Sequence, residues 1–579
     1  MAEETASNNN AGKPDDPSGR PGRPVGPGSP VPPGPAGARR TRAGRPRRGT
    51  TSLFAGVATA VLVAAAVAAG TAVPATSAAR KVDLPPAPLP AGQTIGNCPG
   101  PARLLEGSDI GTDPQFSPAS SSARSAVSAL LLSAPGGQLP GSTLSGLGQD
   151  GVLATLASAP PANANAGPSS AVPASGQGAQ GAAENRKAVV LPSQSVSGPS
   201  VLRADPLAGT RTSANAMMTF RADDGDLQGL AAANCQTPSN DMWLLGASTT
   251  VGRTAILDIA NSSATAATIN LDLFGDKGPI QAAGARGLLV PAGSTRSIVL
   301  AGLASGQQNL AVRLKSTGGP VAATIQQSVL RGLTPGGVEI LQPVAAPALR
   351  QAVTGVEVQD PALAGTLSGQ SGYQDAVSAL QVALPGGTDA VVQVRVYGTG
   401  GQKALPNGGV FTAKAGAVTE LPLTGLPAGT YTLDVRSDSS FTAAVRVVRG
   451  SKAGQPVDFA SAGASTRLAS GQLITLAPGV GSKLTFGVAD GRARVSLTPV
   501  TAEGQLLPAK NVDVAGGTTV VVDPAQLAGD TVAGFIASAT GDSVYGAQLL
   551  NQKDGVGVSL VGIPRGVATA QNARVVLGY

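Results

Sequence analysis

Histidine is absent from this chain of 579 residues, and cysteine occurs only twice. Without histidine, a Ser-His-Asp triad, a Cys-His pair and any His-ligated zinc site are excluded. Two thiols, Cys98 and Cys235, are too few for a structural zinc site of their own. They do not form a Cys-x-x-Cys pair and have no local basic cluster, which argues against a redox role. Aromatic residues make up 3% of the chain, with one Trp. Any core must therefore be built from Val, Leu, Ala and Ile, and a sugar-stacking cleft has little material. No catalytic, metal-binding or cofactor-binding residue is assigned, and no cofactor is expected.

Excess charge is also missing from most of the chain. The formal net charge is +7, but arginine is crowded ahead of the first apolar run, in "RRTRAGRPRRGTT". The remainder is close to balance and has no basic stripe interleaved with aromatics, so nucleic acid is not expected as a partner.

What is present first is a membrane signal. Residues 1–52 are rich in Pro, Gly, Asn and Arg with no apolar period, and read as a disordered cytoplasmic segment. Residues 53–73, "LFAGVATAVLVAAAVAAGTAV", carry no charge. As a helix they would rise about 32 Å, enough for a hydrocarbon core of about 30 Å. Arg39, Arg40, Arg42, Arg45, Arg47 and Arg48 precede them, so the positive-inside bias leaves the N-terminus in the cytoplasm and the C-terminal region outside. Two readings stay open: an uncleaved single-pass anchor, and a signal cleaved near "PATSAA" to release a secreted protein. Twin-arginine export is a poor match to "RRGTTSLF". Outside the cytoplasm a disulfide persists, and Cys98 and Cys235 both lie beyond the membrane segment, so a Cys98–Cys235 bond is expected.

A Pro-rich spacer, 74–97, leads into a membrane-proximal β-rich domain, 98–240. Its expected strands are "AVSALLL", "GVLATLA", "KAVVLPS", "SVLRA" and "AMMTFRA", with a flexible loop near 158–185. Beyond Trp243 the alternation is plainer. Ile269, Leu271 and Leu273 alternate with Asn270 and Asp272, and Leu310, Val312 and Leu314 with Arg313 and Lys315. Tyr431, Leu433 and Val435 alternate with Thr432, Asp434 and Arg436. This period of two marks half-buried antiparallel strands. An internal repeat underlies it, in segments starting at Pro291, Lys414 and Val514. Each runs through an Ala-Gly turn, a strand, a Leu-containing short turn, a strand, a polar turn and a strand. The turn glycines Gly293, Gly416 and Gly516 recur at roughly the spacing of one immunoglobulin-like sandwich of about 100 residues. The expected fold is mainly β, with tandem immunoglobulin-like β-sandwiches at 241–345, 350–455 and 460–579 after one N-terminal transmembrane helix.

The remaining motifs are weak. "GQGAQG", Gly176 to Gly181, lacks the strand and helix that a phosphate-binding loop needs and reads as linker. "ADDGD", Ala222 to Asp226, lacks the ligand spacing of a calcium loop and reads as a solvated turn. Trp243 reads as a core anchor. A glycosidase carboxylate pair has no signature in a single sequence.

"NCPGPARL" after a membrane segment, followed by "GDLQGLAAANCQTPSNDMWLLGASTTVGRTAILDIANSSATAATINLDLFGDKGPI", resembles an actinobacterial family of large secreted or membrane-anchored proteins that carries a domain of unknown function. The likeness is strongest over 225–345. It implies a cell-envelope location and supports the cysteine pairing, and it brings no substrate or catalytic residue. The function expected is a non-enzymatic envelope scaffold or interaction module, with an unidentified envelope protein or wall polysaccharide as partner. The alternative is a carbohydrate-binding or carbohydrate-active protein, which exposed Tyr373, Tyr397 or Tyr431 would favour.

Overall fold

The computed structural model describes residues 91–105, 118–134, 136–148, 151–159, 186–207, 209–406 and 408–566, together with the backbone of 87–88 and 572–573. The readings of 1–52, 53–73, the first part of the 74–97 spacer, most of the 158–185 loop and the Gly176–Gly181 motif lie outside these residues. Among the described residues no helix is long and apolar enough to cross a membrane.

Among the described residues the fold is mainly β, with 57% strand and 4% helix. The strands make four successive modules of one topology. Numbered one to eight within a module, they form two antiparallel sheets, ordered 1-6-3-4 and 5-2-7-8, the fourth position being split into two short strands in the second and third modules. In the first module the strands run from Thr94–Cys98 to Gly229–Asn234, and in the second from Asp241–Ala247 to Thr334–Leu341. The third spans Ala348–Val358 to Val457–Gly463, and the fourth Gln472–Thr475 to Val558–Gly562. The immunoglobulin sandwich also pairs its B strand with E and its C strand with F, but keeps its first strand beside B and its last beside F. Here the first strand pairs with the sixth and the seventh pairs with the second, so the outer strands are exchanged between sheets. In the third module strands six and seven are one continuous strand, Gly429–Gly450, which pairs into both sheets.

The five strands read from sequence in the first module are present at Arg124–Leu132, Val152–Ala157, Ala188–Ser195, Ser200–Ala204 and Ala214–Ala222. The spacer ends earlier than expected, because Thr94 to Asn97 already pair with Val201 to Ala204. This module is a further copy of the repeat. Its fifth and sixth strands are joined by "VSGP" instead of a Leu-containing turn, which hid the likeness. The turn glycine also needs correction. Gly293 and Gly416 sit at φ of 65° and 64°, but in the last copy the left-handed residue is Gly517, at 70°, rather than Gly516. Glycine fits there because a Cβ would strain a left-handed turn.

The modules share cores and close on one another. Val338 and Ile340 of the second module pack into the first module's core around Cys98 and Leu144. Leu245 and Ala311 of the second meet Ala383, Val418 and Ala444 of the third. Ala547, Leu549, Val558 and Leu560 of the fourth join the third module's core. Leu473 and Val500 of the fourth return to Leu130, Leu132 and Ala188 of the first. The last seam also carries Asn215 Nδ2 donating to Thr475 Oγ1 at 3.1 Å and the Ala188 N–H donating to the Gly504 carbonyl at 2.9 Å. Backbone pairing of Ala87–Pro88 with Asn572–Ala573 ties the two ends of the described region. Each seam removes several apolar side chains from water, at about 1.5–3 kcal/mol per fully buried large residue.

Shared cores imply shared unfolding. Calorimetry of the full chain is expected to show one transition for residues 91–566, and Leu130→Ala at the closing seam to lower its midpoint at a cost of about 2–5 kcal/mol. A separate transition for the fourth module, unmoved by that substitution, would contradict the closed arrangement.

Candidate functional site

The eighth strand of every module is an edge strand, and an edge exposes a row of unpaired N–H and C=O groups. These four edges meet at one junction, where their backbone groups need partners. Asp458, on the third module's eighth strand, supplies them. Its Oδ1 accepts from the N–H groups of Val338 at 3.1 Å and Phe459 at 2.9 Å. Its Oδ2 accepts from Leu230 and Val558, both at 2.9 Å. One carboxylate thus caps an edge from each of the four modules. Gly229 and Gly337 make room, since a Cβ on either would lie 2.8 Å or 2.4 Å from Asp458 Oδ1.

The next layer repeats the device. Glu339 accepts from its neighbour Ile340 N–H at 2.8 Å and from Ser559 Oγ at 2.9 and 3.0 Å, while Ser559 Oγ accepts from Ala232 N–H at 2.9 Å. Above it, Gln342 Oε1 accepts from Asn234 N–H at 2.9 Å, and Asn234 Nδ2 donates to the Gly562 carbonyl at 2.7 Å. Burial pushes the Asp458 carboxyl up to about 7 against the pull of its four N–H donors. Burial also raises Glu339 well above the ordinary range, and the nearby Asp458 charge adds to it. Sequence reasoning missed both residues. Their only signal is a lone acid inside an apolar strand, in "PVDFASAG" and "GGVEILQP".

Beside this junction the inter-module linkers and both ends of the described chain line a cavity of ≈ 1090 Å³. Gln236, Thr354 and Ser465 line it, together with apolar residues such as Ile563 and Leu560. Cys235 lies in the same wall. Cys98 and Cys235 form a disulfide, joining the first strand of the first module to the segment leaving its eighth. The backbones of Asn97 and Gln236 pair beside it, each N–H donating to the other's carbonyl at 2.8 Å.

The other residues singled out from sequence take structural places. Trp243 is buried, its ring stacked on Phe274 with centroids 5.5 Å apart and the Arg313 guanidinium 5.4 Å from its centre. Tyr373, Tyr397 and Tyr431 are 7%, 3% and 3% exposed, so none offers the exposed ring that would have favoured the carbohydrate reading. Tyr431 donates to the Pro427 carbonyl at 2.8 Å, a tie back across a strand corner. Within "ADDGD", the Asp224 carboxylate binds the hydroxyls of Ser120, Ser121 and Ser122, and these serines hold it well below the ordinary range. It anchors the Ser120–Ser122 segment to this surface turn.

Fold and junction together define a class: a β protein of four concatenated eight-stranded sandwiches, joined through buried carboxylates and stapled by one disulfide. Within that class the chain belongs to a family of unknown function, DUF5719, which matches residues 190–525. No curated protein matches the chain. A solved structure described as "Biofilm associated protein - BSP domain" aligns over 83% of this chain and 96% of its own length, at 9% identity and a TM-score of 0.11, too low to support an argument about fold.

Two outcomes are expected. In the folded protein Asp458 and Glu339 keep protons that the unfolded chain releases near pH 4, so the folded state binds more protons and stability falls as pH rises from about 4 through about 7. No histidine titrates in this window. Urea midpoints are therefore expected to be higher at about pH 5 than at about pH 8, with the difference reduced in Asp458→Asn. That variant presents an amide N–H₂ to two N–H donors and is expected to lose about 3–5 kcal/mol. A flat pH profile in the wild type would refute this account of the junction. Separately, Cys98→Ser, Cys235→Ser and the double variant are expected to lose the same stability, about 2–5 kcal/mol, because each removes one bond. A double variant clearly worse than either single one would show a further role for a thiol.

Proposed function

We propose that this protein is a non-enzymatic scaffold or interaction module of the cell envelope, working outside the cytoplasmic membrane and tethered through residues 53–73. The observation that carries this reading is the Cys98–Cys235 disulfide at the heart of a closed four-module body, since such bonds persist in oxidising compartments. The Arg-flanked apolar run supports the same side of the membrane, as does the sequence resemblance to actinobacterial envelope proteins. The buried carboxylates support a structural role, because Asp458 holds the backbone of neighbouring modules and Glu339 holds the Ser559 hydroxyl of the fourth. Asp434 likewise pairs with Arg350 and Arg436, which both reach Asp490 of the fourth module at 2.9 Å.

A membrane-impermeant amine reagent tests the topology. In intact, wall-stripped cells it is expected to label the exposed Lys452, Lys510 and Lys553 while leaving Lys13 unmodified until the cells are permeabilised. Labelling of Lys13 first, or labelling of the others only after permeabilisation, would place the four modules inside and remove the reading.

A further inference from the structure

A second cavity, of ≈ 210 Å³, lies between the second and third modules and is lined by both basic and apolar groups. Arg253, Arg331 and Arg446 line it, and Val329, Val448 and Phe459 add an apolar surface. Asp375 answers two of the guanidinium groups, Arg253 Nη2 and Arg331 Nη1, each at 2.6 Å. Glu420 holds the third, accepting from Arg446 Nη1 and Nη2 at 3.1 and 3.0 Å. Three guanidinium groups are thus met by two carboxylates, and one positive charge is left over.

Two donors beside the excess charge lack partners. Arg331 Nε and Arg446 Nε are both buried without a hydrogen-bond partner, and the Arg331 side chain is only 5% exposed. Leaving a buried charged donor unsatisfied is costly, so such groups mark a place for an acceptor. Arg331 is held in position, its Nη1 donating to the Gly372 carbonyl at 3.0 Å and its guanidinium lying 4.6 Å from the centre of the Tyr373 ring. Against the upward push of burial, Arg253 and Arg331 keep Asp375 below its ordinary range, so it stays charged as their counter-ion. A guanidinium already fixed by one carboxylate and still presenting an N–H suits the planar oxygens of a second.

We propose that this cavity binds a small organic carboxylate, whose oxygens accept from the guanidinium groups of Arg331 and Arg446 that line it, while its short apolar body lies on Val329, Val448 and Phe459. A ligand site of this kind has few polar groups set in an apolar wall. The volume admits a body of a few carbon atoms with an ordered water or two, each water taking about 30 Å³. Seated between the modules, the ligand would also strengthen their seam, since binding to the folded state alone raises stability. The proposal stands apart from the envelope reading, as it depends only on this cavity.

Titration calorimetry of the full chain in detergent and low-chloride buffer, with butyrate, acetate and inorganic phosphate as separate probes, tests it. Butyrate is expected to bind saturably at about 1 mM or tighter, a modest demand for so small a ligand, and more tightly than acetate. Arg331→Lys and Arg446→Lys keep the charge but remove the planar guanidinium fork, and each is expected to weaken butyrate about tenfold or more, the loss of one charge-assisted hydrogen bond. Gln374→Trp, at an exposed position on the cavity wall, is expected to block binding while leaving the thermal midpoint of the free protein unchanged. Absence of saturable butyrate binding by the folded wild type would overturn the proposal. So would phosphate binding more tightly than butyrate, or butyrate binding that survives all three substitutions.

Discussion

Four backbone N–H groups from four different modules converge on the carboxylate of Asp458. The contact follows from a problem common to every β-sandwich: the outermost strand of a sheet leaves half its backbone groups without partners. Proteins usually leave such an edge in water or block it with charge. Here four edges are turned toward one another, which removes water and makes each unpaired N–H a liability of about 1–3 kcal/mol. A single side chain with two acceptor oxygens relieves four of them. Glu339, Ser559, Gln342 and Asn234 continue the same service along the junction.

The closed arrangement of the modules rests on that junction. A heterologous contact repeated between like units gives either an open string or a closed set. In this chain the contact of the fourth module with the first, through Leu473 and Val500 on Leu130 and Leu132, closes it. Closure leaves fewer free sheet faces and ties the stability of each module to its neighbours. The disulfide acts at the same place from a different direction, holding the entering strand of the first module to the segment that leaves for the second. Small residues serve the packing, since the Ala231, Ala232 and Ala233 run and the glycines at 229 and 337 let backbones approach where larger side chains would hold them apart.

Charge in this molecule is mostly a joining device. Asp434 is almost fully buried and pairs with the partly exposed Arg350 and Arg436, and both arginines reach across to Asp490. Removing one partner of a buried pair leaves an uncompensated charge, so these contacts fix which surfaces meet even where their net contribution to stability is small. The arginine cavity between the second and third modules is the place where that balance is incomplete.

Alternation such as "ATINLDLFG" and "YTLDVRS" carried the β character, because a half-buried strand writes its two faces into successive residues. Counting settled the cysteines' only possible intramolecular pairing, since two thiols allow one bond. The repeat was legible wherever a Leu-containing turn joined the fifth and sixth strands, and was lost in the first module, where "VSGP" replaces it. The sequence did not show which edges would face one another. Asp458 in "VDFASAG" has the local pattern of a solvent-facing acid on an ordinary strand. Its burial depends on Leu230, Val338 and Val558, each a hundred residues or more away along the chain. Secondary structure follows from neighbours a few residues apart, and the sequence by itself determined it. The junction, the closing seam and the arginine cavity depend on distant strands meeting, and only the tertiary structure decided them.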